Sequence, residues 1–206
     1  MNRREWTIAR LAGIGDYEDA KEEEEEAAPA AFVSQLAYGP RGHLICTAVA
    51  YALAYGFLVR PHQSVRRCMS RRRIHRCMRA CHAYFEAQDI DGPLMLREMQ
   101  QAFPLARCGI VGGEVAGLTS AATDADGLTD DGGLLLEPLT TLIDRIRNRD
   151  DERRMALLVT CSEHTRLVYS EAPGTIRGFD SLRGHLEDIR VSRSEPYAGL
   201  LLASSA

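Results

Sequence analysis

The chain has 206 residues, 45% of them apolar and 26% charged, with a net charge of −4. This is length for one domain with a real core and an ordinary globular balance. No apolar run approaches the roughly 20 residues that cross a bilayer, and the net charge gives no reason to expect adsorption to nucleic acid or membrane. Six cysteines at irregular spacing, with no continuous apolar segment at the N-terminus that would read as a secretory signal, are expected as free thiols of a cytoplasmic or nuclear protein.

Residues 1–30 read as an acidic mobile tail. Asp16, Glu18, Asp19 and the run Glu22 to Glu26 lead into a low-complexity Ala-Pro stretch, and Trp6, Ile8 and Leu11 are expected in a short sticky helix. Residues 31–206 then form a single domain. From Cys46 to Leu58 the sequence is apolar nearly all round, the mark of a central buried helix that Pro61 ends. Residues 64–87 are predicted as one long basic helix, and residues 93–103 as a shorter amphipathic one with Leu94, Leu96, Met99 and Phe103 on one side. Residues 107–133, rich in Gly, Thr and Asp, are predicted as an irregular excursion. Helix returns over residues 134–149, with Leu135, Leu139, Leu142, Ile143 and Ile146 spaced for one buried face. The period then changes: residues 155–161, 164–169, 175–179 and 198–203 are short strand-like runs separated by turns such as Ala172-Pro173-Gly174. Helices first and an antiparallel sheet last is an α+β pattern.

Three stretches carry chemistry. Cys46 opens the buried helix, where unpaired backbone N–H groups and the positive end of the helix dipole favour thiolate over thiol. His164 opens a strand, and Asp180 closes the next one in Phe179-Asp180-Ser181-Leu182. A helix packed on the sheet brings Cys46 to the edge where His164 begins, and the turn through Pro173-Gly174 returns Asp180 beside it. An imidazole next to such a sulfur completes its activation, and a carboxylate holds the ring in the useful tautomer. The bland readings are a packed cysteine, a turn-capping histidine and a strand-ending aspartate.

This order of elements resembles the papain-like cysteine peptidase superfamily with its deubiquitinase branches, most of all the amino-terminal deubiquitinase domain of herpesvirus large tegument proteins. The residues that carry the resemblance are Gln35, eleven positions before Cys46, then Cys46-Thr47-Ala48-Val49-Ala50, and Phe179-Asp180-Ser181. It implies a papain-like α+β fold, with the cysteine-bearing helix packed on a C-terminal antiparallel sheet. It also implies a thiol hydrolase acting on a peptide or isopeptide bond, without metal or organic cofactor. Its partner would be ubiquitin, a ubiquitin-like modifier or another protein substrate. In that scheme Cys46 is the nucleophile, His164 the base, Asp180 the orienting acid and Gln35 an oxyanion donor. The chain departs from the tegument pattern at Leu182, which stands where that family places its histidine. His164 takes the role as in papain-like and ubiquitin-like-modifier peptidases. His185 is a rival base if the spacing has shifted, and His43, three residues before Cys46, is a weaker one. Transglutaminase-like acyltransferases share the Cys, His, Asp order. A catalytically inactive scaffold with this fold is the alternative outside enzymology, favoured by Leu182 and by the lack of a tryptophan after His164.

Other groupings are weaker. Cys68, His75, Cys77, Cys81 and His82 lie in the arginine-rich stretch, and Cys77 and Cys81 share a helix face, but no second knuckle completes a zinc site. Arg66, Arg67, Arg71, Arg72, Arg73, Arg76 and Arg79 read as a solvated or protein-binding surface before a nucleic-acid stripe. Asp124, Asp126, Gly127, Asp130 and Asp131 lack the Glu that a calcium loop needs at its twelfth position. Gly112-Gly113-Glu114 lacks the spacing and Lys-Ser/Thr of a phosphate loop.

Overall fold

A computed structural model describes residues 6–14, 34–118, 139–161, 164–182 and 197–204. The acidic run, the Asp-rich stretch at 124–131 and His185 lie outside the described residues. In chain order the elements are α1 (Ile8–Leu11), α2 (Cys46–Leu58), α3 (Val65–Cys68), α4 (Arg71–Ala87), α5 (Leu96–Ala102), β1 (Ile110–Leu118), α6 (Leu139–Arg147), β2 (Met155–Cys161), β3 (His164–Ser170), β4 (Arg177–Phe179) and β5 (Tyr197–Ser204). The strands form one antiparallel sheet in the order β1-β5-β2-β3-β4. Among the described residues no helix is long and apolar enough to cross a membrane.

The helix α2 is the centre of the molecule. Every residue of it except Tyr55 is buried, because it has protein on all sides: α1, α4 and α5 on one flank and the sheet on the other. Period two in the strands explains the rest. Ala156, Leu158, Leu167 and Tyr169 face the α2 core, whereas Leu157, Val159 and Val168 face the opposite way and meet Leu142 and Ile146 of α6. With both faces covered, the strands read as continuous apolar runs instead of alternating ones.

The two ends of α2 are fixed differently. At its C-terminal end the buried guanidinium of Arg154, at the start of β2, lies over the Phe57 ring. It donates to the carbonyls of Phe57 (3.0 Å), Arg60 (2.8 Å) and Gln63. A cation there satisfies carbonyls that the helix leaves without partners. Nearer the N-terminal end Tyr51, one and a half turns into the helix, donates its hydroxyl to the Phe103 carbonyl at 2.8 Å.

Four expectations change. Residues 6–14 hold the expected short helix, α1, but it is docked: Leu11 is fully buried against the α2 core, and Trp6 packs edge-on to Tyr84 at 5.4 Å. Their few apolar side chains suffice because α2 and α4 already offer an apolar groove. The long basic helix is two helices, α3 and α4. Ser64 and Ser70 each accept from the backbone N–H three residues on, Arg67 (3.3 Å) and Arg73 (3.4 Å), so each serine begins a helix of its own. The start of the supposed excursion at 107–133 is strand β1, paired with β5. Gly112 belongs there because a Cβ would run into the Leu201 carbonyl and Leu202 of β5. The predicted helix over 93–103 begins later, at Leu96, where Glu98 accepts from the Met95 N–H at 2.7 Å.

Candidate active site

Cys46 is the first residue of α2, the position where backbone N–H groups have no acceptor within the helix. His164 is the first residue of β3. Antiparallel pairing of β3 with β4 sets Leu167 opposite Phe179, so Asp180, the next residue, falls at the His164 end of the hairpin. The chain reversal from β3 to β4 is closed locally: Thr175 Oγ1 donates to the Ala172 carbonyl at 2.7 Å, and Gly174 adopts a positive φ of 76°.

His164 Nε2 donates to Asp180 Oδ1 at 2.9 Å. The same oxygen accepts the Leu182 N–H at 2.9 Å, and Oδ2 receives Arg166 Nε at 3.1 Å. Arg166 is two residues from His164 and therefore on the same face of β3. His164 also faces the Cys46 thiol, and each group is a hydrogen-bonding neighbour in the other's electrostatics. The imidazole of His164 therefore has both the Cys46 sulfur and the Asp180 carboxylate as neighbours.

The charges follow from those contacts. Burial pushes the Cys46 thiol up, but it is outweighed. The His164 hydrogen bond and charge, the Thr165 backbone N–H and the Thr47 side chain together bring the thiol below its ordinary value. Burial lowers His164 too, yet its bonds to Asp180 and Cys46 raise it to about 9. Asp180, which burial alone would raise, is held down to about 2 by His164, the Leu182 N–H and the charge of Arg166. The three shifts agree in direction: thiolate, imidazolium and carboxylate stabilise one another.

Gln35 sits in a short turn, Gln35–Tyr38, against the turn Gly42–Leu44 that precedes α2. Gly42 permits the contact, since a Cβ would strike the Gln35 backbone. The Gln35 N–H donates to the Ser181 carbonyl at 3.0 Å, tying this turn to the residue after Asp180. Its side chain is 0% exposed, with Nε2 directed at the His43 carbonyl at 3.4 Å. Gln35 is therefore a neighbour of the site, with its amide turned inward. Cys46 is likewise only 1% exposed, whereas the side chains of His164 and Asp180 are 20% and 12% exposed. His43 is exposed and meets Gln35 through its carbonyl, not its ring.

Three further residues belong to the site although the sequence assigns them no role: Thr47 and Thr165 beside the sulfur, and Arg166 on Asp180. Thr165 Oγ1 lies 2.8 Å from both Thr47 Oγ1 and Thr160 Oγ1. Their sequence signal is adjacency: Thr47 follows Cys46, Thr165 follows His164, and Arg166 is the next same-face position. The cysteines and histidines of α3 and α4 do not converge. Cys77 and Cys81 are buried, His75 Nδ1 pairs with the Tyr38 hydroxyl at 2.7 Å, and His82 faces Glu86 at 3.6 Å. Cys68 lies instead beside Arg154. Among the described residues no three His, Cys, Asp or Glu side chains are grouped as metal ligands.

No protein-family model matches the chain, and no curated protein matches its sequence. The fold has a solved counterpart. The ubiquitin-specific protease encoded by murine cytomegalovirus tegument protein M48, crystallised with a ubiquitin-based suicide substrate, superimposes with a TM-score of 0.53. The match covers 84% of this chain and 83% of that chain at 14% identity. The likeness establishes the fold: a papain-like α+β architecture in which a cysteine-bearing helix packs on a C-terminal antiparallel sheet.

Proposed function

We propose that this chain is a thiol hydrolase that cleaves a peptide or isopeptide bond, with ubiquitin or a ubiquitin-like modifier as the protein it releases, in the cytoplasm or nucleus. The observation that carries the reading is His164 with both Cys46 and Asp180 as neighbours, the bond to Asp180 being 2.9 Å. The papain-like fold shared with a viral ubiquitin-specific protease supports the substrate class.

In this reading the Cys46 thiolate attacks the scissile carbonyl. The His164 imidazolium gives its proton to the departing amine, and the neutral ring then takes one from the water that hydrolyses the thioester. Asp180 fixes the ring and stabilises its cation. Backbone N–H groups at the start of α2 face the developing oxyanion. Gln35 joins them once its amide turns away from the His43 carbonyl, and a substrate must first uncover Cys46.

The test is a ubiquitin carrying a C-terminal electrophile, followed by peptide mass spectrometry. An adduct on Cys46, lost in His164→Ala, is expected. Folded protein that forms no adduct, or forms it on another cysteine, overturns the proposal. That outcome would instead support an inactive scaffold, which the burial of both Cys46 and Gln35 favours.

A further inference from the structure

We propose that Thr160, Thr165 and Thr47 form a relay of hydroxyls that ends on the Cys46 sulfur and stabilises its thiolate, so that the anion rests on a fixed dipole chain as well as on His164. The inference rests on the reading of Cys46 as a nucleophile.

Thr160 and Thr165 face each other in the β2–β3 register, and their hydroxyl oxygens are 2.8 Å apart. Thr165 Oγ1 is also 2.8 Å from Thr47 Oγ1 on the first turn of α2, which lies 4.0 Å from Cys46 Sγ. All three threonines are buried. A hydroxyl has one proton to give, so the shared proton directions along the chain are coupled. A sulfur anion at the end selects a single direction: Thr160 gives to Thr165, Thr165 to Thr47, and Thr47 to sulfur. The neutral thiol, itself a weak donor, imposes no such alignment.

The same residues also set geometry. Thr47 and Thr165 each directly follow one member of the Cys46–His164 pair, so their bond fastens the start of the helix to the start of the strand. The Thr165 backbone N–H reaches the sulfur as well. Among the described residues, the charged groups grouped with the sulfur are His164 beside it, with Asp180 and Arg166 behind the imidazole. The first turn of α2 carries no acid. The hydroxyls of Thr160 and Thr165 are positioning groups, since they act on the sulfur only through Thr47.

The experiment is the pH profile of Cys46 alkylation by iodoacetamide, read by peptide mass spectrometry, with thermal melts in parallel. Thr165→Val keeps the side-chain shape and removes both hydroxyl bonds. The half-reaction pH should rise by roughly 0.5 to 1 unit, and Thr165→Ser should restore it. The same rise should persist in a His164→Ala background, because the relay does not pass through the imidazole. Should Thr165→Val fail to fold, Thr160→Val, one hydroxyl further from the sulfur, should give a smaller rise in the same direction. A folded variant with the wild-type profile overturns the relay. A rise that vanishes in the His164→Ala background overturns it too, since Thr165 would then act only by placing His164. The two proposals fail separately: an ordinary thiol profile in the wild type removes the nucleophile, whereas a low profile insensitive to the valines removes the relay alone.

Discussion

The helices α2 and α4 both place cysteines in the interior, and the same residue type ends in opposite chemical states. On α4, Cys81 is fully buried beside Cys77, and burial together with that neighbour pushes its thiol well above the ordinary range. The Cys77 thiol points its proton at the Val49 carbonyl, 3.8 Å away, as a packed small hydrophobe does. On α2, Cys46 is as thoroughly covered, yet its thiol lies below its ordinary value because His164, a backbone N–H and Thr47 surround it. Burial is common to both. The difference is what the sulfur faces: another thiol on α4, and an imidazole backed by a carboxylate on α2. A histidine alone is not enough either, since His75 on α4 is lowered by burial and by Arg71 and Arg79, and it has a tyrosine for a partner.

The sharpest break of that contrast is removal of the two kinds of sulfur. Cys46→Ala should abolish reaction with the ubiquitin electrophile, while Cys81→Ala should leave the rate per folded molecule within about two-fold and cost only about 1–2 kcal/mol of stability. Chemical denaturation and single-turnover labelling separate the two. If Cys81→Ala abolished labelling in folded protein, the inert reading of α4 would be wrong.

Next in size is the base. His164→Ala should lower turnover by about 100-fold or more and return Cys46 alkylation toward the ordinary thiol value of about 8.5. His43→Ala and His185→Ala should stay within about two-fold. A large loss with His185→Ala instead would move the base to the tegument-type position after Asp180.

Asp180→Asn should cost about 10- to 100-fold with the fold intact, because the amide keeps one acceptor for His164 but not the charge. Asp180→Ala should cost more. A variant that melts much lower yet keeps full activity per folded molecule would reduce Asp180 to a turn residue. Arg166→Gln belongs at the lower end of that scale. Its side chain is 43% exposed and supplies one of three bonds to Asp180, so a few-fold loss is expected.

The smallest effect is on stability against pH. His164 stands above its ordinary value of 6.5, so its stabilisation is complete below that pH and is lost as pH rises through about 9. Asp180 stands below its ordinary 3.8, so its share is present above that pH and disappears as pH falls toward about 2. The melting temperatures of wild type and His164→Ala should therefore differ most near pH 6 and converge above about 9. A gap that stays constant through pH 10 would show that the ion pair contributes nothing to stability.

How much of this was legible beforehand depends on which interactions are local. Apolar residues on every side of α2, the turn signal at Pro173-Gly174 and the apolar strand runs gave the α+β order, and with it the neighbourhood of Cys46, His164 and Asp180. Ser70 begins a second helix inside the stretch whose period reads as one, because its side chain accepts the Arg73 N–H. The strand β1 was not visible, because Gly112 makes sense only beside Leu201 of a strand about ninety residues later. Nor was the burial of Leu11, which needs the groove between α2 and α4 to exist.

The sequence by itself determined the placement of one cysteine at a helix start, one histidine at a strand start and one aspartate at a strand end, since helical and strand periods are properties of short stretches. Tertiary structure decided the rest. It brought Asp180 to within 2.9 Å of His164, turned the Gln35 amide to the His43 carbonyl, and lined Thr47 and Thr160 up through Thr165. Hydrogen bonds hold only over about 3 Å, and the partners here come from segments up to 118 residues apart in the chain. No local pattern carries their distances; the packing of α2 on the sheet does.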